Sequence, residues 1–94
     1  MRLHLLQILA LSDATLSAAL AIESPILIDF FAPWCGHCNA LAPELEKVAP
    51  ILFDAGIRVA TIDATVNRVS ADSFGVRSFP HVVLVNATIP GIHE

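Results

Sequence analysis

The chain has little cysteine and little charge, and both shortages narrow what it can be. It carries only two cysteines, too few for the disulfide framework that staples many small secreted domains. Lysine and arginine together number 5, nowhere in a cluster, and the formal net charge is −4. That argues against nucleic acid or an anionic membrane surface as partner. No apolar run reaches the roughly 18 residues of a membrane-spanning helix, so no membrane span is expected. Internal repeats, low-complexity tracts and domain linkers are also missing, and 94 residues make a single domain, 1–94, with one core. The low charged fraction of 15% accompanies an apolar fraction of 55% and a mean hydropathy of +0.70. Disorder is thereby excluded. What remains is strands buried on both faces, or a chain lacking polar parts of its domain.

What is present centres on Trp34-Cys35-Gly36-His37-Cys38. Both cysteines lie here, spaced C-x-x-C, between the apolar Phe30-Phe31-Ala32-Pro33 and an amphipathic run. Such a junction sets a thiol at a helix N-terminus, where unpaired N–H groups and the helix dipole favour an anion. The thiolate is the reactive form of cysteine, and a second thiol one turn on can attack a mixed disulfide formed by the first. The spacing reads as a dithiol–disulfide site. A passive bridge is the weaker reading, since so short a loop stabilises little. Cys35, His37 and Cys38 offer three metal ligands and His81 a candidate fourth, but no second C-x-x-C or H-x-H completes a tetrahedral set. No metal is expected.

Around this stretch the chain alternates strand and helix. Leu3–Leu11 reads as a strand. Ser12 or Asp13 then caps a helix over 14–21, with Leu16 and Leu20 on its buried face. Ile26–Phe31 is a near-continuous apolar run, the pattern of a central strand. Ala40, Leu41, Leu45, Val48, Ala49 and Leu52 form the apolar stripe of a long helix. Pro43 kinks it, and Pro50 kinks it again or ends it near Phe53. Ile57–Asp63 is another strand, Thr65–Ser73 a short polar helix closed by Gly75, and His81–Val85 a last strand after the break at Ser78-Phe79-Pro80. Pro90-Gly91 marks a final turn. The order β-α-β-α-β-α-β implies an α/β fold, a central sheet with helices on both faces. Such folds place ligands where a strand ends and a helix opens.

Asp29 stands alone as a charge inside the Ile26–Phe31 run. A carboxylate there is costly unless paired or protonated, and burial raises its pKa. It is either an edge position facing water or a buried proton acceptor beneath the thiols. Trp34 beside the first cysteine is either core or a shield and platform for substrate. Arg77 and Glu44 read as solvated. Asn86-Ala87-Thr88 fits the N-x-[ST] glycosylation pattern.

The segment Asp29–Cys38 resembles the active-site segment of protein disulfide isomerase domains, within the thioredoxin superfamily. Thr61-Ile62-Asp63-Ala64-Thr65 resembles that family's third strand, Phe74–Pro80 its proline loop, and Leu9–Leu16 its opening strand and helix. The likeness runs from about Leu5 to Val85. It implies a thioredoxin-like mixed sheet flanked by helices, without the family's usual final strand and helix. That ending would leave an unpaired edge and an uncovered apolar face. The resemblance further implies that Cys35 is the exposed nucleophile, Cys38 the more buried resolving thiol, and Gly36 and His37 the residues between them. A histidine cation near Cys35 stabilises the thiolate, and with it the reduced form; thioredoxins carry proline at that place. Asp29 matches the acid that takes the proton from Cys38. Pro80 matches the cis-proline that meets substrate beside Phe79 and Trp34. Two departures stand out: Asn39 replaces a customary lysine, and His81 a small hydroxyl residue.

The implied activity is thiol–disulfide exchange on cysteine-containing protein substrates, with no cofactor beyond the Cys35–Cys38 pair and with glutathione or a thiol oxidase as redox partner. The implied compartment is the endoplasmic reticulum lumen. Residues 1–21 also have the charged start, apolar run and Ala19-Leu20-Ala21 site of a secretory signal. The strand-and-helix reading is preferred because it supplies elements the fold needs. Two other functional readings remain: a catalytically impaired truncated fragment or part of a larger multidomain isomerase, and a thioredoxin-like reductase. Oligomeric state is not legible.

Overall fold

A computed structural model describes residues 7–86. Seven elements follow one another there: β1 (Ile8–Leu11), α1 (Leu16–Ala21), β2 (Ile26–Phe31), α2 (Gly36–Asp54), β3 (Arg58–Asp63), α3 (Arg68–Ser73) and β4 (His81–Val85). The strands lie in the order β1-β3-β2-β4. β3 runs parallel to both β1 and β2, and β4 is antiparallel to β2. This is the thioredoxin-like mixed sheet that the resemblance implies.

The two-residue period of the strands sorts their side chains. In register, Ile28 neighbours Ala60 and Val83, and Phe30 neighbours Ile62 and His81. These face α1 and α3, whose Leu16, Ala19 and Ala71 complete the main core. The alternate positions face the other way. Leu27 neighbours Val59 and Leu84, and Asp29 neighbours Thr61 and Val82. On that side Leu45 and Ala49 of α2 pack on Val59 and Leu27. Val82 and Leu84 stay exposed, and β4 is an edge strand of the described sheet.

The structure amends several details. Leu3–Leu6, the start of the expected first strand, and the Pro90-Gly91 turn lie outside the described residues. α1 begins at Leu16 after Thr15, and neither Ser12 nor Asp13 caps it with a side chain. Asp13 instead serves α3, as its carboxylate accepts from Ser70 N at 2.8 Å, Ser70 Oγ at 2.6 Å and Val69 N at 3.4 Å. In return Asp13 N donates to Asn67 Oδ1 at 2.8 Å. The exchange satisfies the first turn of α3 from a loop more than fifty residues away in sequence. It also holds the Asp13 carboxyl below the usual carboxylate range, chiefly through the Ser70 hydroxyl.

α2 continues through both prolines to Asp54. Its buried stripe is Cys38, Leu45 and Ala49, with Leu41 and Leu52 half-buried; Ala40 and Val48 face outward. A 3.6-residue repeat places all of these within one broad sector, and a single sheet face covers only part of it. α3 begins at Arg68, later than the expected Thr65, because Asp63 accepts from Thr65 N and Oγ1 and holds 64–66 as a turn. Arg58 opens β3 by donating to Ala19 O at 2.8 Å, Ser24 O at 2.7 Å and Ile22 O at 3.3 Å, which binds the end of α1 to the sheet.

Candidate active site

β2 ends at Phe31 and α2 starts at Gly36, so the loop between them presents the cysteine pair at the carboxyl end of a central strand. Cys35 is the N-cap of α2 and extended in conformation (φ −85, ψ 117). Its Sγ accepts from the Cys38 amide at 3.1 Å. The sulfur thus takes the place of the cap oxygen that usually satisfies the third amide of a helix. An anion there meets an N–H donor and the positive end of a 19-residue helix dipole. Both cysteines are free thiols.

Cys35 is 8% exposed and Cys38 4%. Cys38 is the deeper of the two, but Cys35 is buried rather than exposed. The reason is local: its sulfur folds back onto the helix, and Cys35 forms with Ala32 and Cys38 a small cluster against which Phe31 and Phe79 pack. Burial pushes the Cys38 thiol up, and the hydrogen bond to Cys35 and the nearby Asp29 charge act in the same direction; the Ala32 amide opposes them. Gly36 has no positive φ, and a Cβ on it would meet nothing within 4 Å. Glycine is therefore not demanded there by backbone or packing. His37 is exposed on the same turn.

Asp29 is 4% exposed, not an edge residue facing water. Its Oδ1 is buried without a hydrogen-bond partner, and burial pushes its pKa up. The carboxyl lines a cavity of about 280 Å³ together with Cys38, Thr61, Asn39 and Glu46. Asp29 and Cys38 therefore share one space under the helix start. Asn39 donates to Pro33 O at 3.5 Å and brings no cation to replace the customary lysine. The sequence showed Asp29 but not Thr61 and Glu46, because their nearness depends on strand register and helix facing.

The proline loop closes the other side. The Phe79–Pro80 bond is cis. Phe79 packs on the cysteine cluster and meets the Trp34 ring edge-on at 5.8 Å. Trp34 itself is 72% exposed, so it lies on the surface rather than in the core. His81 turns its ring edge-on to Phe30 at 6.1 Å, on the main-core face. Among the described residues, no group of three or more histidine, cysteine or acidic side chains is placed to hold a metal ion. No described helix is long and apolar enough to cross a membrane.

A C-x-x-C helix start, a buried acid beneath it and a cis-proline loop beside it mark a domain of the thioredoxin class. The thioredoxin family profile matches residues 7–90, and the chain belongs to that family. Its relatives include protein disulfide-isomerase of Gallus gallus, 47% identical over 77 residues, which covers 80% of this chain and 15% of that protein. Human protein disulfide-isomerase A4 is 44% identical over 80 residues, covering 83% and 12%. Protein disulfide isomerase-like 5-2 of Oryza sativa subsp. japonica is 37% identical over 86 residues, covering 89% and 20%. The first thioredoxin domain of mouse protein disulfide-isomerase A4 superposes with a TM-score of 0.78 at 38% identity, covering 85% of this chain and 59% of that one. The chain thus spans between an eighth and a fifth of the length of these full-length relatives.

Proposed function

We propose that this domain catalyses thiol–disulfide exchange on cysteine-containing protein substrates, in the manner of a protein disulfide isomerase. The observation that carries the reading is the capped pair: Cys35 Sγ accepts from Cys38 N at the head of α2, with the buried Asp29 beneath.

The chemistry follows from the arrangement. The Cys35 thiolate attacks one sulfur of a substrate disulfide. That S–S bond breaks, a mixed disulfide forms, and the other substrate sulfur leaves and takes a proton. Cys38 then gives its proton to Asp29 and attacks Cys35 Sγ. The mixed disulfide breaks, the second substrate sulfur leaves and takes up the proton held by Asp29, and the pair ends as Cys35–Cys38. Two electrons and two protons have passed to the substrate. Oxidation of a substrate dithiol is the reverse, and isomerisation uses the first step with a substrate thiol resolving it. The raised pKa of Cys38 means that its sulfur holds its proton, so a proton acceptor beside it is needed. The raised pKa of Asp29 lets it accept one nearer neutrality than an ordinary aspartate. His37 favours the reduced pair, and so an oxidising disulfide. Trp34, Phe79 and Pro80 receive the substrate chain. By the isomerase resemblance the working compartment is the endoplasmic reticulum lumen, with glutathione or a thiol oxidase restoring the pair.

Insulin reduction by a dithiol and refolding of reduced ribonuclease test the reading. Turnover well above a Cys35→Ser control is expected in both assays; turnover equal to the control sinks the enzymatic claim.

A further inference from the structure

The described residues contain four lysines and arginines, and their partners divide them sharply. Lys47 pairs with Glu44 at 3.4 Å. Arg58 is spent on the three backbone carbonyls at the end of α1. Among the described residues, Arg68 and Arg77 have neither a hydrogen bond nor a carboxylate within 4 Å. Both line one groove of about 300 Å³, with Trp34, Phe79, Thr65 and Asp72 among its walls. The groove adjoins the thiols: Phe79 packs on the Cys35–Cys38 cluster and against the Trp34 ring.

In a chain of net charge −4, two unpaired guanidinium groups in the groove beside the redox pair are not a general feature of the surface. Asp72 lies in the same groove without bridging either arginine, so both forks remain free for a ligand. A planar fork matches a carboxylate, and the exposed indole supports the apolar part of the same segment.

We propose that Arg68 and Arg77 make this site selective for disulfides that carry a carboxylate close to the reacting cysteine, foremost protein segments with glutamate or aspartate beside it. This rests on the exchange activity proposed above and names its substrate class. Charge of this kind acts mainly through encounter and orientation, and it is screened by salt.

The test uses three peptide disulfides that differ only in the residues flanking cysteine, which are glutamate, glutamine or lysine. With the wild-type reduced protein at low salt, the glutamate peptide reacts faster than the lysine peptide by roughly fivefold, with glutamine between. The spread collapses in about 0.5 M salt and reverses in Arg68→Glu/Arg77→Glu, while Lys47→Gln keeps the wild-type order. Equal rates in the wild type, or an unchanged order in the double variant, overturn the proposal. Glutathione disulfide and its methyl ester form a second pair. Discrimination confined to that pair, with the peptides equal, assigns the groove to the small thiol and overturns the protein-substrate claim. If no peptide reacts, the exchange reading itself falls. Charge selection is then read from binding of the matching peptides with alanine for cysteine, and equal affinities overturn it separately.

Discussion

On the face of the sheet covered by α1 and α3, nine buried residues form one cluster, and every member is apolar. On the face beneath α2 the buried cluster has three members. Beside those three stand a carboxyl oxygen without a partner, a cavity of about 280 Å³, and the exposed Val82 and Leu84. The same four strands supply both faces, so the difference lies in what packs against each. A well-filled side holds the fold together, which lets the other side keep a buried acid next to a thiol. Ionisable groups in apolar surroundings lower stability, and they are found where their shifted pKa values have a use.

Truncating one side chain on each face tests this division of labour most directly. Phe30→Ala removes a fully buried ring that packs on Phe74 at 5.2 Å, and a loss of about 3–5 kcal/mol is expected in urea unfolding. Leu45→Ala on the α2 side opens onto space that is already there, so its cost should fall near the low end, about 2 kcal/mol. Equal costs would show that the two faces share the load.

Asp29→Asn should act with opposite sign on stability and on rate. Because burial raises the Asp29 pKa, the folded chain keeps a proton that the unfolded chain releases. Stability therefore falls as pH climbs from the ordinary aspartate range through the raised value. The asparagine variant lacks that slope: its Tm should exceed the parent's at pH 8, with the gap closing by pH 4. Resolution of a Cys35 mixed disulfide should slow by roughly 10²-fold, the usual scale for a lost proton acceptor. A parent-like rate in stopped flow would remove Asp29 from the chemistry.

His37→Pro should make the disulfide more reducing by about 50 mV in glutathione equilibration. Asp13→Asn, on the structural side, should lower Tm by a few degrees. Its carboxyl is held below the normal range by Ser70, so the stability it adds is present above the unfolded aspartate pKa and fades as pH falls through the lowered one. A gap between variant and parent that stays constant down to pH 2 would contradict that origin.

How far the sequence alone reached follows from the range of the forces involved. The cysteine pair at a helix start was legible because spacing and capping act within a few residues. Asp29 was legible because one charge interrupts an apolar run, and the alternation of elements because each has its own period. Thr61 against Asp29 was not, since it needs the register between β2 and β3. Arg58 and Asp13 were missed as well, because their partners lie between 34 and 57 residues away. Ala40 and Val48 carry apolar side chains at helical spacing and yet face outward, as periodicity marks a sector while the width of the partner decides how much of it is covered.

The strand order has a consequence for how the chain acquires its structure. β1 and β2 share no hydrogen bond, because β3 lies between them. While the chain emerges in sequence, the first two strands have nothing to pair with until Arg58–Asp63 arrives. Cys35 and Cys38 are made about 25 residues before that strand is complete, an interval of roughly 1–5 s at ordinary synthesis speeds. Through that interval the thiols have neither the sheet behind them nor the proline loop in front. A nascent chain ending after Gly56 should therefore react with a thiol-modifying reagent as fast as an unfolded peptide, and one extended past Val85 should react at a rate set by the folded site.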